Sequence, residues 1–403
     1  MKLKTISIIA LAAILATSAA SCRKKGCTDS NASNYEEKAK KNDGTCEYDA
    51  SETIISGDII TNTTWSYLDE NDNIAIYTLA GGVHVKDGAT LTIEAGVEVI
   101  SDPNEAIAYL LVEQGGKIEA IGTATSPIVF TSGSTTPARG DWGGIIICGK
   151  APINKGTTAT AEVGDVLYGG ADATDDSGIL QYVRVEYTGN AINSEKEHNG
   201  FTFNGVGSGT SVSYLQAFMG GDDGYEFFGG TVNASYLVST GSKDDCFDWT
   251  YGWTGSGSFW IAEQATDDGD RAIEADNQGG ANGASPFSNP TLSNITLIGR
   301  GTSAGTVGIK LREGTKGNIS NVTIDGFADG IQVEHDQTVT NASNGDLQLS
   351  AIKITNGTNN FIIKSAGLAS GDSLNAVTNI GGSIFNTANG AGESWTEGWT
   401  VDL

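Results

Sequence analysis

Basic residues are scarce in this chain: 23 Lys and Arg stand against 49 Asp and Glu, a formal charge of −26. The excess of acid lies beyond the first 49 residues, because residues 50–403 hold 15 bases and 43 acids. A body so charged repels nucleic acid and anionic lipid and attracts divalent cations or basic partners. Nucleic-acid binding is therefore the first function excluded. Histidine is nearly missing as well, and His84, His198 and His335 are dispersed, which excludes a zinc site built on them. Cys148 and Cys246 fall on different repeats and are expected to pack as small apolar residues. Past residue 20 no apolar run is long enough to span a bilayer. Two methionines against 55 glycines suit tight, repeated turns between strands.

What the chain has instead is a short unit that keeps returning. Gly224-Tyr225-Glu226-Phe227, Cys246-Phe247-Asp248-Trp249 and Ala272-Ile273-Glu274-Ala275 share one order: small, apolar, acidic, apolar. They start 22 and 26 residues apart, each behind an acid-rich turn: Asp222-Asp223, Asp244-Asp245, and Asp267-Asp268-Gly269-Asp270. A strand that recurs at so short a period marks a β-solenoid. The same register meets Gly200–Asn204 upstream, and Gly308–Arg312, Gly330–Glu334 and Asn360–Lys364 downstream. The inward column is then Phe201, Tyr225, Phe247, Ile273, Ile309, Ile331 and Phe361. Thr202, Glu226, Asp248, Glu274, Lys310, Gln332 and Ile362 point outward. A further outward column runs through Asn204, Phe228, Thr250, Asp276, Arg312, Glu334 and Lys364.

A second strand column is predicted from Leu180–Val185, Val212–Leu215, Val232–Leu237, Leu292–Leu297, Ile319–Ile324 and Leu349–Ile354. Residues 155–177 and 278–289 read as insertions between coils. Trp395 and Trp399 are expected to cap the last coil, whose open edge would invite aggregation.

Lys2 and Lys4 followed by an apolar run to Ala16 read as a secretory signal. Ala19-Ala20-Ser21-Cys22 resembles a bacterial lipoprotein cleavage box, with Ala19 where Leu is usual. The resemblance implies removal of residues 1–21, lipidation of Cys22, a membrane anchor and an outer-membrane location with the face left open. Residues 22–53 form the stalk and 54–403 the β-helix. Gly26-Cys27-Thr28-Asp29 through Asp43-Gly44-Thr45-Cys46 resembles a small Cys-bounded module of secreted Bacteroidota proteins. Export then makes a Cys27–Cys46 disulfide plausible, and its 19-residue separation would stabilise by about 3 kcal/mol.

Val83–Ile93 repeats as Leu110–Ala120, 27 residues on. Together with Pro127-Ile128-Val129-Phe130-Thr131 and Trp142-Gly143-Gly144-Ile145, it resembles the right-handed parallel β-helix lipoproteins of Bacteroidota. Gly221–Gly230 and Asp268–Asn277 fit the same group. The resemblance spans roughly residues 80–400 and implies an all-β, single-stranded right-handed parallel β-helix. It implies no particular reaction.

Equivalent side chains on neighbouring coils sit about 4.8 Å apart, where like charges repel by about 3.5 kcal/mol at an effective dielectric near 20. A column of Glu226, Asp248 and Glu274 needs relief. Calcium suits an oxygen-only set comprising Asp222, Asp223, Glu226, Asp244, Asp245, Asp248, Asp268, Asp270, Glu274 and Asp276. Solvent screening, raised pKa values, the nearby Lys243 and Arg271, or acids that accept backbone hydrogen bonds in stacked turns, relieve the column equally well. A catalytic reading also stays open, because parallel β-helices host polysaccharide lyases and hydrolases. Asp244-Asp245-Cys246 looks like a polygalacturonase motif, although the Asn-Thr-Asp and Gly-His-Gly partners are missing. Lys310 or Arg312 would then act as base or charge stabiliser; otherwise they form an ion-pair ladder with Glu274 and Asp276. Phe228, Trp253 and Trp260 are candidates for an exposed sugar-stacking surface. The expected protein is a monomeric, lipid-anchored envelope binding or scaffold protein. Its expected partner is a glycan or an outer-membrane transporter, and the alternative is a calcium-dependent lyase or hydrolase.

Overall fold

A computed structural model describes residues 24–30, 32–46, 49–193, 196–365 and 388–402. The expected signal segment and Cys22 lie outside the described residues. The chain divides into two compact units, one of residues up to 50 with 70–74, the other of 51–69 and everything from 75. In the first, Cys27 and Cys46 are joined by a disulfide. Asp43 folds back on its own turn, where its Oδ1 accepts from the N–H and hydroxyl of Thr45 at 3.2 and 2.6 Å.

The second unit is a right-handed parallel β-helix. Its first ladder stacks Tyr109–Val112, Ile145–Cys148, Phe201–Asn204, Tyr225–Phe228, Phe247–Thr250, Arg271–Ala275, Val307–Leu311, Asp329–Glu334 and Asn359–Lys364. Phe201, Tyr225, Phe247, Ile273, Ile309, Ile331 and Phe361 fall in one row, in the register the spacing predicts. The row's rings stack inside, Phe201 on Tyr225 and Tyr225 on Phe247, each pair 5.2 Å apart.

The second ladder uses longer strands, from Gly178–Glu186 to Leu347–Thr355. Each carries one residue of positive φ near its middle: Tyr182, Tyr214, Tyr236, Phe259, Asn294, Asn321 and Ala351, at 51–60°. That residue is a corner. Earlier in the chain its two sides are separate strands, Lys117–Ile121 and Ile128–Ser132, which pair with the two halves of Gly178–Glu186. Each coil therefore has three faces. A left-handed conformation costs an L-residue about 1–2 kcal/mol, and side chains at adjacent corners offset part of it. Tyr182, Tyr214, Tyr236 and Phe259 stack at 4.4, 4.4 and 4.8 Å, and Asn321 Nδ2 donates to Asn294 Oδ1 at 2.6 Å.

Two expectations are corrected. Trp253 and Trp260 are fully buried and offer no sugar-stacking surface. Trp260 sits between Leu237 and Ile295 in an inward row, and Trp253 stacks on Phe227 at 4.3 Å. Their indole N–H groups donate to Ala234 O and Val232 O, so parity along Ser256–Glu263 points the larger ring inward. Trp395 and Trp399 do not cap the last coil, but lie against the corners of earlier coils. A helix that the strand pattern did not announce, Asp336–Asn344, ends on Gly345 at φ 79°.

Candidate functional site

The three acid-bearing strands put Glu226, Asp248 and Glu274 in one row, followed by Lys310 and Gln332. The turns before them stack as well. Asp223 Oδ1 accepts the Asp245 N–H, and Asp245 Oδ1 accepts the Arg271 N–H, both at 2.8 Å. One oxygen of each turn acid thus ties coil to coil, as the turn-stabilising reading has it.

The carboxylates around these turns converge in four overlapping groups: Asp222–Asp223–Asp244, Asp223–Glu226–Asp248, Asp244–Asp245–Asp270 and Asp245–Asp248–Glu274. Within each group one ligand atom from every member lies within 4.8 Å of the others. Two arginines neutralise only the downstream half. Arg271 reaches Asp270 at 2.6 Å, Glu274 at 2.9 Å and Asp245 at 3.6 Å, while Arg312 bonds Asp276 at 2.8 Å and also Glu274. Among the described residues no lysine or arginine pairs with Asp222, Asp223, Glu226, Asp244 or Asp248. Asp248 Oδ1 is inaccessible and has no hydrogen-bond partner. Glu226 receives only an amide, from Asn199 Nδ2 at 2.6 Å.

The acids do not form a solvated wall. Asp222, Asp223, Asp245, Glu274 and Asp276 are buried, and at the upstream end the first insertion packs over Phe228 and brings Glu162 beside the row. Burial is the first cause of every shift here, and the neighbouring carboxylates add to it. Asp222 is pushed up to about 8. Asp223, Glu226, Asp245 and Asp248 rise well above the carboxylate range. Glu274 rises to about 7 by burial even against Arg312 and Arg271. Without a compensating cation these groups hold protons that solvated acids would release.

Two predicted ligands stand apart. Asp268 turns away toward Lys243, 4.0 Å off, because its own Oδ1 accepts from Gly269 N–H. Asp276 is engaged by Arg312 and joins none of the four groups. Lys310 lies 3.5 Å from Glu334, and Arg312 is held between Glu274 and Asp276. Both bases therefore sit in an ion-pair ladder. Phe228 points out of its coil as expected but is only 5% exposed, packed beneath the insertion at 6.5 Å from Tyr168 and 5.7 Å from Tyr251. It too is corrected as a sugar platform.

Sequence reasoning missed the cover. Ala159–Thr160 and Leu167–Tyr168 make a small antiparallel pair inside the first insertion, and Glu162 lies between them, its pKa raised by burial. Glu162, Glu197 and Asn199 line a water-sized space of about 10 Å³ beside the row. Glu162 also lines an open cavity of about 520 Å³ with Tyr109, Asp165, Asn190, Lys196 and His198. Burial lowers His198 to about 4, which keeps it neutral. Apart from Tyr109, which starts a ladder strand, none of these residues belongs to a repeat, so no periodic signal marks them.

No curated protein and no solved structure matches the chain. The family model described as a pectate-lyase-like β-helix domain matches residues 57–400, nearly the whole coil stack whose ladders and corners are set out above. The chain is thus a member of the pectate-lyase-like β-helix domain family.

Proposed function

We propose that this protein is a calcium-dependent glycan-binding domain of the cell envelope, exported and lipid-anchored through Cys22. The observation that carries the reading is the Asp223–Glu226–Asp248 group, whose oxygens converge without a basic partner and which includes the orphan Asp248 Oδ1. A buried oxygen with no donor is rare in folded proteins. Calcium takes six to eight oxygens, and Asp222 and Asp244 adjoin the same group. When bound, the ion would supply a positive centre for a ligand carboxylate. The chain's own residues would hold it and keep water from the row.

Membership of a pectate-lyase-like family supports a polysaccharide-related role. A second reading, a lyase acting on acidic glycans, is favoured by that membership and opposed by the ion pairs that occupy Lys310 and Arg312. Incubation of the full chain with a panel of acidic polysaccharides, with calcium or with EDTA, separates the two. Calcium-dependent retention on the glycan without new products supports binding. Release of unsaturated, ultraviolet-absorbing products would replace binding with catalysis, and neither retention nor products with any glycan would overturn both.

A further inference from the structure

We infer that residues 388–402 are a detachable clasp, a peptide ligand that the chain carries for its own row of aromatic corners. The corners Tyr182, Tyr214, Tyr236 and Phe259 present a continuous stack of rings on the outside of four coils. Trp399 meets Tyr182 and Tyr214 edge-on at 5.8 and 6.0 Å, and Trp395 meets Tyr236 edge-on at 5.3 Å. Edge-to-face contacts of this kind are attractive beyond the area they bury. Trp399 is left 1% exposed, packed with Val238, Ile261 and Ala391.

Main-chain recognition accompanies the rings. Gln216 grips the backbone of one residue at both its polar groups: its Nε2 donates to Val401 O at 2.8 Å, and its Oε1 accepts the Val401 N–H at 2.9 Å. Arg184 Nη1 donates to Trp399 O at 2.9 Å. Thr296 Oγ1 accepts the Ala391 N–H at 2.9 Å, and Asn321 Oδ1 accepts the Asn389 N–H at 2.8 Å. As residue numbers rise along the clasp, the coils it touches fall from Asn321 back toward Arg184. The segment therefore runs against the direction of winding and crosses six coils.

Coils of a solenoid otherwise contact only their neighbours. The clasp adds a connection from the coil of Asn321 to the coil of Arg184, and it does so through side-chain edges and single hydrogen bonds rather than a strand ladder. Such contacts define a peptide-binding surface, and the fitting partner is a peptide with two tryptophans four residues apart that folds into turns, as Thr396 N–H to Glu393 O at 2.9 Å folds this one.

The test uses the full chain with a protease recognition sequence placed within residues 366–387 and cut after folding. The cut clasp should stay with the coil stack on gel filtration and be displaced by excess synthetic peptide 388–402. Trp399→Ala in the clasp, or Gln216→Ala in the coil, should weaken retention by roughly tenfold or more, with calcium binding unchanged. Immediate loss of the wild-type fragment overturns the inference, as does a fragment that no excess of peptide exchanges without denaturant. Should the cleavable chain not fold, hydrogen exchange on uncut Trp399→Ala decides. Faster exchange around Tyr182–Tyr236 with unchanged protection around Phe247–Thr250 supports the clasp, and unchanged exchange at both overturns it.

Discussion

Asp248 has one carboxylate oxygen that neither solvent nor a donor reaches, and a buried polar atom in that state costs about 1–3 kcal/mol. Asp248→Asn should therefore act in opposite directions with and without calcium. In EDTA the variant should melt above wild type, because one acid leaves a crowded row. With calcium its affinity should fall by roughly tenfold or more. Paired calorimetric titrations and thermal melts check both signs. The pH response follows from the same crowding. Asp222 holds its proton to about 8 in the folded chain against a reference of 3.8, and Glu274 to about 7 against 4.5. Between those values the unfolded chain has lost protons that the folded chain keeps, so stability falls as pH rises. In EDTA, denaturant midpoints should drop from about pH 4 to pH 8, and saturating calcium should flatten that slope. A midpoint that rises with pH in EDTA would contradict it. The row itself could be read from the sequence, since spacings of 22 and 26 residues with alternating polarity fix Glu226, Asp248 and Glu274 in register. Its burial could not. Pointing out of a coil and facing water are different properties, and the insertion that brings Glu162 beside the row has no periodic pattern.

At the scale of the strand, the corner is the feature that alternation conceals. Leu180-Gln181-Tyr182-Val183 reads as one unbroken strand, yet Tyr182 has φ 51° and the ladder passes over it. The only trace is a repeated Ser before a Tyr, Phe, Asn or Ala, as in Ser213-Tyr214, Ser235-Tyr236, Ser258-Phe259, Ser293-Asn294 and Ser350-Ala351. Where the corner residue neither stacks on a ring nor bonds a neighbouring amide, its conformational cost is not offset. Ala351, exposed and at φ 51°, is such a residue. Ala351→Gly should raise unfolding free energy by about 0.5–1 kcal/mol, measured as a shift of denaturant midpoint. Tyr214→Ala should do the reverse, since it keeps the strained backbone and loses both neighbours in the stack. The tryptophans err for a related reason. In a coil with three faces, parity counted from one strand does not carry through the turn into the next, so Trp253 and Trp260 end inside. Trp260→Ala should destabilise by about 3–5 kcal/mol rather than weaken glycan binding selectively.

For the whole molecule, the family match over residues 57–400 agrees with a fold that repetition alone announces. Two features lie outside the repeat: the first insertion beside the acid row and the segment 388–402. The proposed envelope location makes its own demand. Cys22→Ser should abolish incorporation of labelled palmitate and release the protein from membranes, while the purified coil stack keeps its calcium response. The proposed function rests most heavily on the upstream carboxylates needing a cation. Calcium titrated into chelated, full-length protein at neutral pH, followed by isothermal calorimetry, measures that need directly. Saturable binding that Glu226→Gln and Asp248→Asn each weaken, with proton release as the ion enters, is the predicted result. No heat of binding at millimolar calcium, or binding indifferent to both substitutions, would contradict it.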